Sequence, residues 1–126
     1  MNKRTCVLAA LAALLFTLSS NPQTPGRAGS PDPGVTPLRQ IDRAEVRVTR
    51  VELQAGAVRS VHVHNDVRFH LFIPVSGQLE LTIGSAKPVD TVPGQAYFME
   101  KGTPHGFRNA GSSPAMVMEV FVKDGA

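Results

Sequence analysis

Beyond residue 44 apolar side chains alternate with polar ones, and turns bearing glycine or proline interrupt the pattern before it runs far. Val46 and Val48 alternate with Arg47 and Thr49. At Arg50-Val51 the phase slips, so that Val51 and Leu53 carry it on, which reads as a β-bulge. Further segments follow at Val58 to His64, Phe69 to Val75, Leu79 to Ile83, Val89 to Val92, Ala96 to Met99, His105 to Arg108 and Ala115 to Val122. Gly77, Gly84, Pro93-Gly94, Gly102-Thr103-Pro104 and Gly111 to Pro114 separate them. No long window has the 3.6-residue period of an amphipathic helix. Short strands at this spacing predict an all-β barrel or sandwich, and the roughly 85 residues from Ile41 suffice for one such domain.

The N-terminal third has a different character. Lys3 and Arg4 precede an uncharged apolar run from Val7 to Leu18, the order of a secretory signal, and the run is shorter than the ~20 residues of a membrane span. Residues 1–20 are therefore expected to be a signal peptide, giving an exported protein, periplasmic or secreted, with no membrane span after cleavage. Residues 21–40 hold five of the ten prolines, almost all polar or small neighbours, and read as an extended linker to a folded domain at 41–126. Cleavage removes two of the 13 Lys and Arg and none of the 10 Asp and Glu. The near-neutral remainder gives no compositional case for nucleic acid as a partner. The only cysteine, Cys6, lies inside the signal, which excludes disulfides and thiolate chemistry from the mature chain.

Several strands are apolar on both faces. Phe72 sits on the opposite parity to Phe69, Leu71 and Ile73, and in Ala115 to Val122 both parities are largely apolar. A sheet with two faces to bury needs a second layer, which for so small a domain implies a homodimer.

All four histidines fall in the β region. His62 and His64 are two apart on one strand, so their imidazoles leave from the same face. His70 follows after a connection containing Asn65-Asp66, and His105 lies far along the chain after a turn. Gly56, His62-Val63-His64 and Gly77 stand where the first motif of the cupin family has its glycine, its H-x-H pair and its closing glycine. Gly94, Gly102, His105 and Asn109 match the second motif at its spacings. Over about Leu53 to Val122 the sequence thus resembles the cupins, which implies a single jelly-roll-like β-barrel. His70 stands near the glutamate of the first motif, one residue beyond the longer family spacing, and Glu100 replaces the proline of the second.

The resemblance implies that His62, His64 and His105 bind a metal ion, with His70 as the fourth ligand. Four neutral imidazoles would leave a divalent ion at +2, where the family's three imidazoles and one carboxylate leave +1. Nitrogen donors without thiolate favour a divalent transition metal, Mn, Fe, Co, Ni, Cu or Zn. Parity along Val58 to His64 and Arg68 to Phe72 puts the even-numbered residues on the lumen side, which makes Arg68, Phe72 and Phe107 candidates to line a pocket. Glu80, Glu119 and Tyr97 could point either way. The expected function is that of a metal-dependent enzyme acting on a small organic substrate, a dioxygenase before a lyase or isomerase. The alternative is a non-catalytic module that binds a metal or small ligand.

Overall fold

The computed structural model describes residues 32–124, so the expected signal segment and most of the expected linker lie outside the described residues. Nine strands follow in order: β1 (Val35–Asp42), β2 (Val46–Leu53), β3 (Val58–His62), β4 (Val67–Ser76), β5 (Leu79–Ile83), β6 (Val89–Asp90), β7 (Tyr97–Glu100), β8 (His105–Asn109) and β9 (Ala115–Lys123). They pair antiparallel into a five-stranded sheet, β1-β2-β9-β4-β7, and a four-stranded one, β3-β8-β5-β6. The fold is all-β, and among the described residues no helix is long and apolar enough to cross a membrane. Between the sheets lies a core built on Val51, Leu53, Phe72, Leu79, Leu81, Met99, Phe107 and Val117.

The folded part begins earlier than the linker reading allows. Strand β1 starts at Val35, inside the stretch expected to be a spacer, and Val35 is buried. Pro37 is accommodated because β1 is an edge strand, paired only with β2. Asp32 ties the start of this strand to β3, accepting hydrogen bonds from the Ser60 backbone N–H at 2.9 Å, its hydroxyl at 2.6 Å and Arg59 Nη1 at 3.2 Å.

The phase slip in β2 is not a bulge. From Val46 to Leu53 its register with β9 is unbroken, Val46 opposite Val122 and Leu53 opposite Ala115. Odd positions face inward throughout. Val51 and Leu53 enter the core, whereas Arg47 and Thr49 face a cleft, and Val46 and Val48 lie on the outer surface. What reads as a change of parity is a change in what the inner face meets.

Bulges occur elsewhere: in β1 between Arg39 and Ile41, in β3 between Arg59 and His62, and in β4 between Val67 and Phe69 and again between Pro74 and Ser76. Each inserts a residue that reverses parity beyond it. Val58 is accordingly exposed while His62 turns inward. Gly106 backs the β3 bulge, where a Cβ would lie 3.0 Å from Arg59 O and 3.2 Å from Val61 N.

Gly77 closes the β4–β5 turn with φ +84°, and a Cβ there would stand 2.4 Å from Ala115 Cβ and 2.7 Å from Ala115 Cα. Gly84 has φ +60° with open space around it. Gly77→Ala is expected to cost about 3 kcal/mol or more, from strain plus overpacking, against about 1 kcal/mol of strain for Gly84→Ala. Urea unfolding of both variants checks this; equal shifts of the midpoint would show that β9 yields to the added methyl.

Candidate metal centre

Two strands from the four-stranded sheet and two from the five-stranded one converge at one end of the barrel. His62 ends β3 and His105 opens β8, and the two are direct register partners. His64 lies just past β3, its carbonyl accepting the Gly102 N–H at 3.0 Å, which anchors it beside the turn leading to His105. Ring centroids are 4.4 Å apart for His62 and His105, 4.9 Å for His62 and His64, and 5.3 Å for His64 and His105. From the other sheet come His70 on β4 and Glu119 on β9. Both point inward, with Phe72 opposite Glu119 and His70 opposite Phe121.

The cluster whose geometry could hold an ion contains Glu119 where His70 was expected. One ligand atom each of His62, His64, His105 and Glu119 lies within 4.8 Å of the others. Opposite ligands at bonds of about 2.1 Å are about 4.2 Å apart, so small side-chain adjustments close this set on one ion. His70 stands outside it. Its Nε2 approaches Glu119 Oε1 at 3.3 Å, and its ring stacks on Phe121 at 4.4 Å between centroids, which places it behind the carboxylate. The extra residue between His64 and His70 and the inward carboxylate of the neighbouring strand together exchange their positions. The charge argument reverses with them: three imidazoles and one carboxylate would leave a divalent ion at +1, not +2.

The histidines are oriented for nitrogen donation. His62 Nδ1–H donates to Ser60 O at 2.7 Å and His105 Nδ1–H to Thr103 O at 3.0 Å, which fixes the tautomers and leaves each Nε2 with its lone pair. His64 Nε2, His105 Nε2, both nitrogens of His70 and Glu119 Oε1 are buried without a hydrogen-bond partner. These are five of the six such side-chain atoms among the described residues. A buried cluster of unpaired lone pairs is costly unless something positive joins it, so the residues present fit a divalent transition metal.

Burial first, then the neighbouring imidazoles, pushes the pKa of His64 down to about 4. Burial likewise brings His105 to about 4 despite its bond to Thr103. Burial alone would raise Glu119, but the neighbouring imidazoles, His70 first and then His64 and His62, outweigh it and hold the carboxyl below its usual value. At neutral pH His64, His105 and Glu119 are therefore already in the forms that bind a metal.

The other expected site residues fall elsewhere. Phe72 and Phe107 are buried in the core with rings in T-shaped contact at 4.9 Å, below the histidines. Arg68 is exposed, because the bulge between Val67 and Phe69 turns it out of the lumen. Glu80 forms a two-pronged pair with Arg108 on the outside, both bonds at 2.7 Å, and Tyr97 Oη accepts the Val92 N–H at 3.0 Å. Asn109 is a structural tie: its Nδ2 donates to Ser113 O at 2.7 Å and Gln54 O at 3.1 Å, and its Oδ1 accepts the Gly111 N–H at 3.0 Å. Above the centre opens a cleft of about 380 Å³, lined by Pro37, Arg39, Arg47, Thr49, Arg59, His64, Glu119 and Phe121. A lone acid within the apolar run Ala115 to Val122 was the sequence signal for Glu119; no comparable signal marked the three arginines.

The cupin domain family model matches residues 49–121, which takes in the histidines and the glutamate. The chain belongs to the cupin family. This cupin is 32% identical over 93 residues to the β-alanine degradation protein BauB of Pseudomonas aeruginosa, a match covering 72% of this chain and 96% of that protein. Among solved structures it resembles the TT1209 protein of Thermus thermophilus, with a TM-score of 0.64 at 25% identity over 71% of this chain and 83% of the other. It also resembles a cupin domain of Bordetella pertussis, with a TM-score of 0.62 at 25% identity over 75% and 99% of the two chains.

Two outcomes follow from this geometry. Glu119→Gln is expected to weaken Zn²⁺ or Co²⁺ binding as severely as His105→Ala, whereas His70→Gln should cost only about 10- to 100-fold, the range for residues that orient a ligand. Competition titration with a chromogenic chelator measures this, and an effect of His70→Gln equal to that of His105→Ala would restore the four-histidine set. In the metal-free protein the unfolded chain takes up protons near pH 6.5 that folded His64 and His105 refuse until about 4. Their contribution to stability is therefore complete above 6.5 and falls away as the pH drops toward 4. Denaturation midpoints at pH 7, 5.5 and 4.5 should decline in that order, and a flat series would refute the assignment.

Proposed function

We propose that this cupin is an exported homodimeric enzyme that uses a divalent transition metal to transform a small organic substrate, with dioxygenase chemistry ahead of lyase or isomerase chemistry. The observation that carries the reading is the gathering of His62, His64, His105 and Glu119 at the floor of an open cleft. When bound, the ion supplies a Lewis acid and, if redox-active, an electron source for O₂. The chain's own residues do the rest. Three imidazoles and one carboxylate would hold the ion, with His70 beside the carboxylate, and the core beneath, with Phe72 and Phe107, excludes water from below. The similar protein BauB is named for the degradation of β-alanine, a small organic compound, which agrees with a substrate of that size.

Homodimer formation is supported by the outer face of the five-stranded sheet. Phe98, Leu71, Val120, Val48 and Ile41 form one apolar row across β7, β4, β9, β2 and β1, with Phe98 57% and Ile41 45% exposed at its ends. Export is supported by the basic and apolar pattern of residues 1–20.

A binding module without turnover is the second reading, favoured by the cleft lining, in which His64 and Glu119 are the only side chains able to act as acid or base at neutral pH. Oxygen uptake separates the two. The Fe²⁺ or Mn²⁺ form, offered a panel of small phenols and diketones, is expected to consume O₂ while the Zn²⁺ form does not. Tight ligand binding with no turnover by any metal form would leave the binding module.

A further inference from the structure

The inner face of a small barrel is ordinarily apolar, yet here three arginines from three strands look onto the cleft above the metal centre: Arg39 of β1, Arg47 of β2 and Arg59 of β3. Their inward placement is built into the backbone. Arg47 shares the inward parity of Val51 and Leu53, Arg59 directly precedes the β3 bulge, and Arg39 directly precedes the one in β1. We propose that this rim receives the carboxylate of the substrate, so that the ligand of the cleft is a small organic acid, one end on the arginines and an oxygen reaching toward the histidines. The proposal rests on the metal reading above and names its substrate class.

The arginines retain the capacity to bind. Each spends one nitrogen, Nη1, on one aspartate: Arg39 on Asp42 at 3.0 Å, Arg47 on Asp66 at 3.0 Å and Arg59 on Asp32 at 3.2 Å. Arg108, on the outside, shows the contrast, for both its Nε and Nη2 are committed to Glu80. A guanidinium held at one nitrogen still has an edge for a bidentate carboxylate. None of the three aspartates lines the cleft, whose only carboxylate, Glu119, belongs to the metal centre.

Arg47 is the best placed of the three. Its side chain is only 17% exposed, and its Cζ lies 4.5 Å over the ring of Phe121, which holds the guanidinium by a cation–π contact. The same ring is 4.6 Å from His64, so Arg47 and the centre are separated by one aromatic layer. A volume of about 380 Å³ suits a small molecule. A carboxylate fits better than a phosphate because the lining consists of side chains on or beside strands, without the helix N-terminus or backbone nest that commonly cradles phosphate.

Calorimetric titration of the Zn²⁺-loaded protein with malonate, its neutral analogue malonamide and inorganic phosphate tests this, at low and at high salt. Malonate should bind more tightly than either other probe and weaken with salt. Arg47→Gln and Arg59→Gln should each weaken it about tenfold or more with zinc content unchanged, while Arg47→Lys, which keeps the charge over Phe121, should fold and retain part of the affinity. Malonate affinity unmoved by both glutamine substitutions, malonamide binding equally well, or phosphate binding better would each overturn the proposal. Zinc content is measured separately, so wild-type protein that takes up no zinc would count against the metal centre alone. Titration of that metal-free protein would then judge the arginines, with malonate binding lost in Arg47→Gln in their favour and malonate binding absent or unchanged against them.

Discussion

The inner surface of this barrel must serve an apolar core at one end and a polar, ligand-gathering site at the other, and β2, β4, β8 and β9 each bear both demands. Strand β9 shows the transition most directly. Its inward residues run Ala115, Val117, Glu119 and Phe121, so that a single carboxylate interrupts the apolar series where β9 passes the histidines. Burying that carboxylate costs several kcal/mol unless it is compensated. Of the imidazoles only His70 approaches the carboxylate closely, its Nε2 3.3 Å from Glu119 Oε1, and a cation joining the cluster would supply the compensation.

The exchange between His70 and Glu119 keeps the site's charge where a position-by-position reading of the motif would change it. A carboxylate on β4 and one on β9 reach the same space because the two strands are hydrogen-bonded neighbours whose inward residues interleave. His70 then takes the place behind the ligand, stacked on Phe121. One aromatic ring therefore touches His64, His70 and Arg47, linking the ligand set to the cleft rim through packing.

Much of the fold was legible because it depends on local pattern. Alternation and turn residues located β5 to the residue and β4, β7, β8 and β9 to within about two. Parity was the weak link. His62 and His64 both reach the cluster although His64 lies just past the end of β3, whereas Arg68 and Val58 were put on the lumen side although bulges turn them away. In β2 the reverse happened: a bulge was read where the strand is regular and its surroundings change. A bulge is a property of two paired strands, and one strand's sequence does not display it.

The sequence by itself determined the class of fold, the family and three imidazoles of the cluster that could hold an ion, because turn residues, period-two alternation and the H-x-H pair act over short stretches of chain. Only the tertiary structure brought Glu119 into that cluster, turned the arginines inward and set the first strand within the expected linker. Those depend on which strands lie side by side and in what register, and register is settled by the packing of both sheets at once.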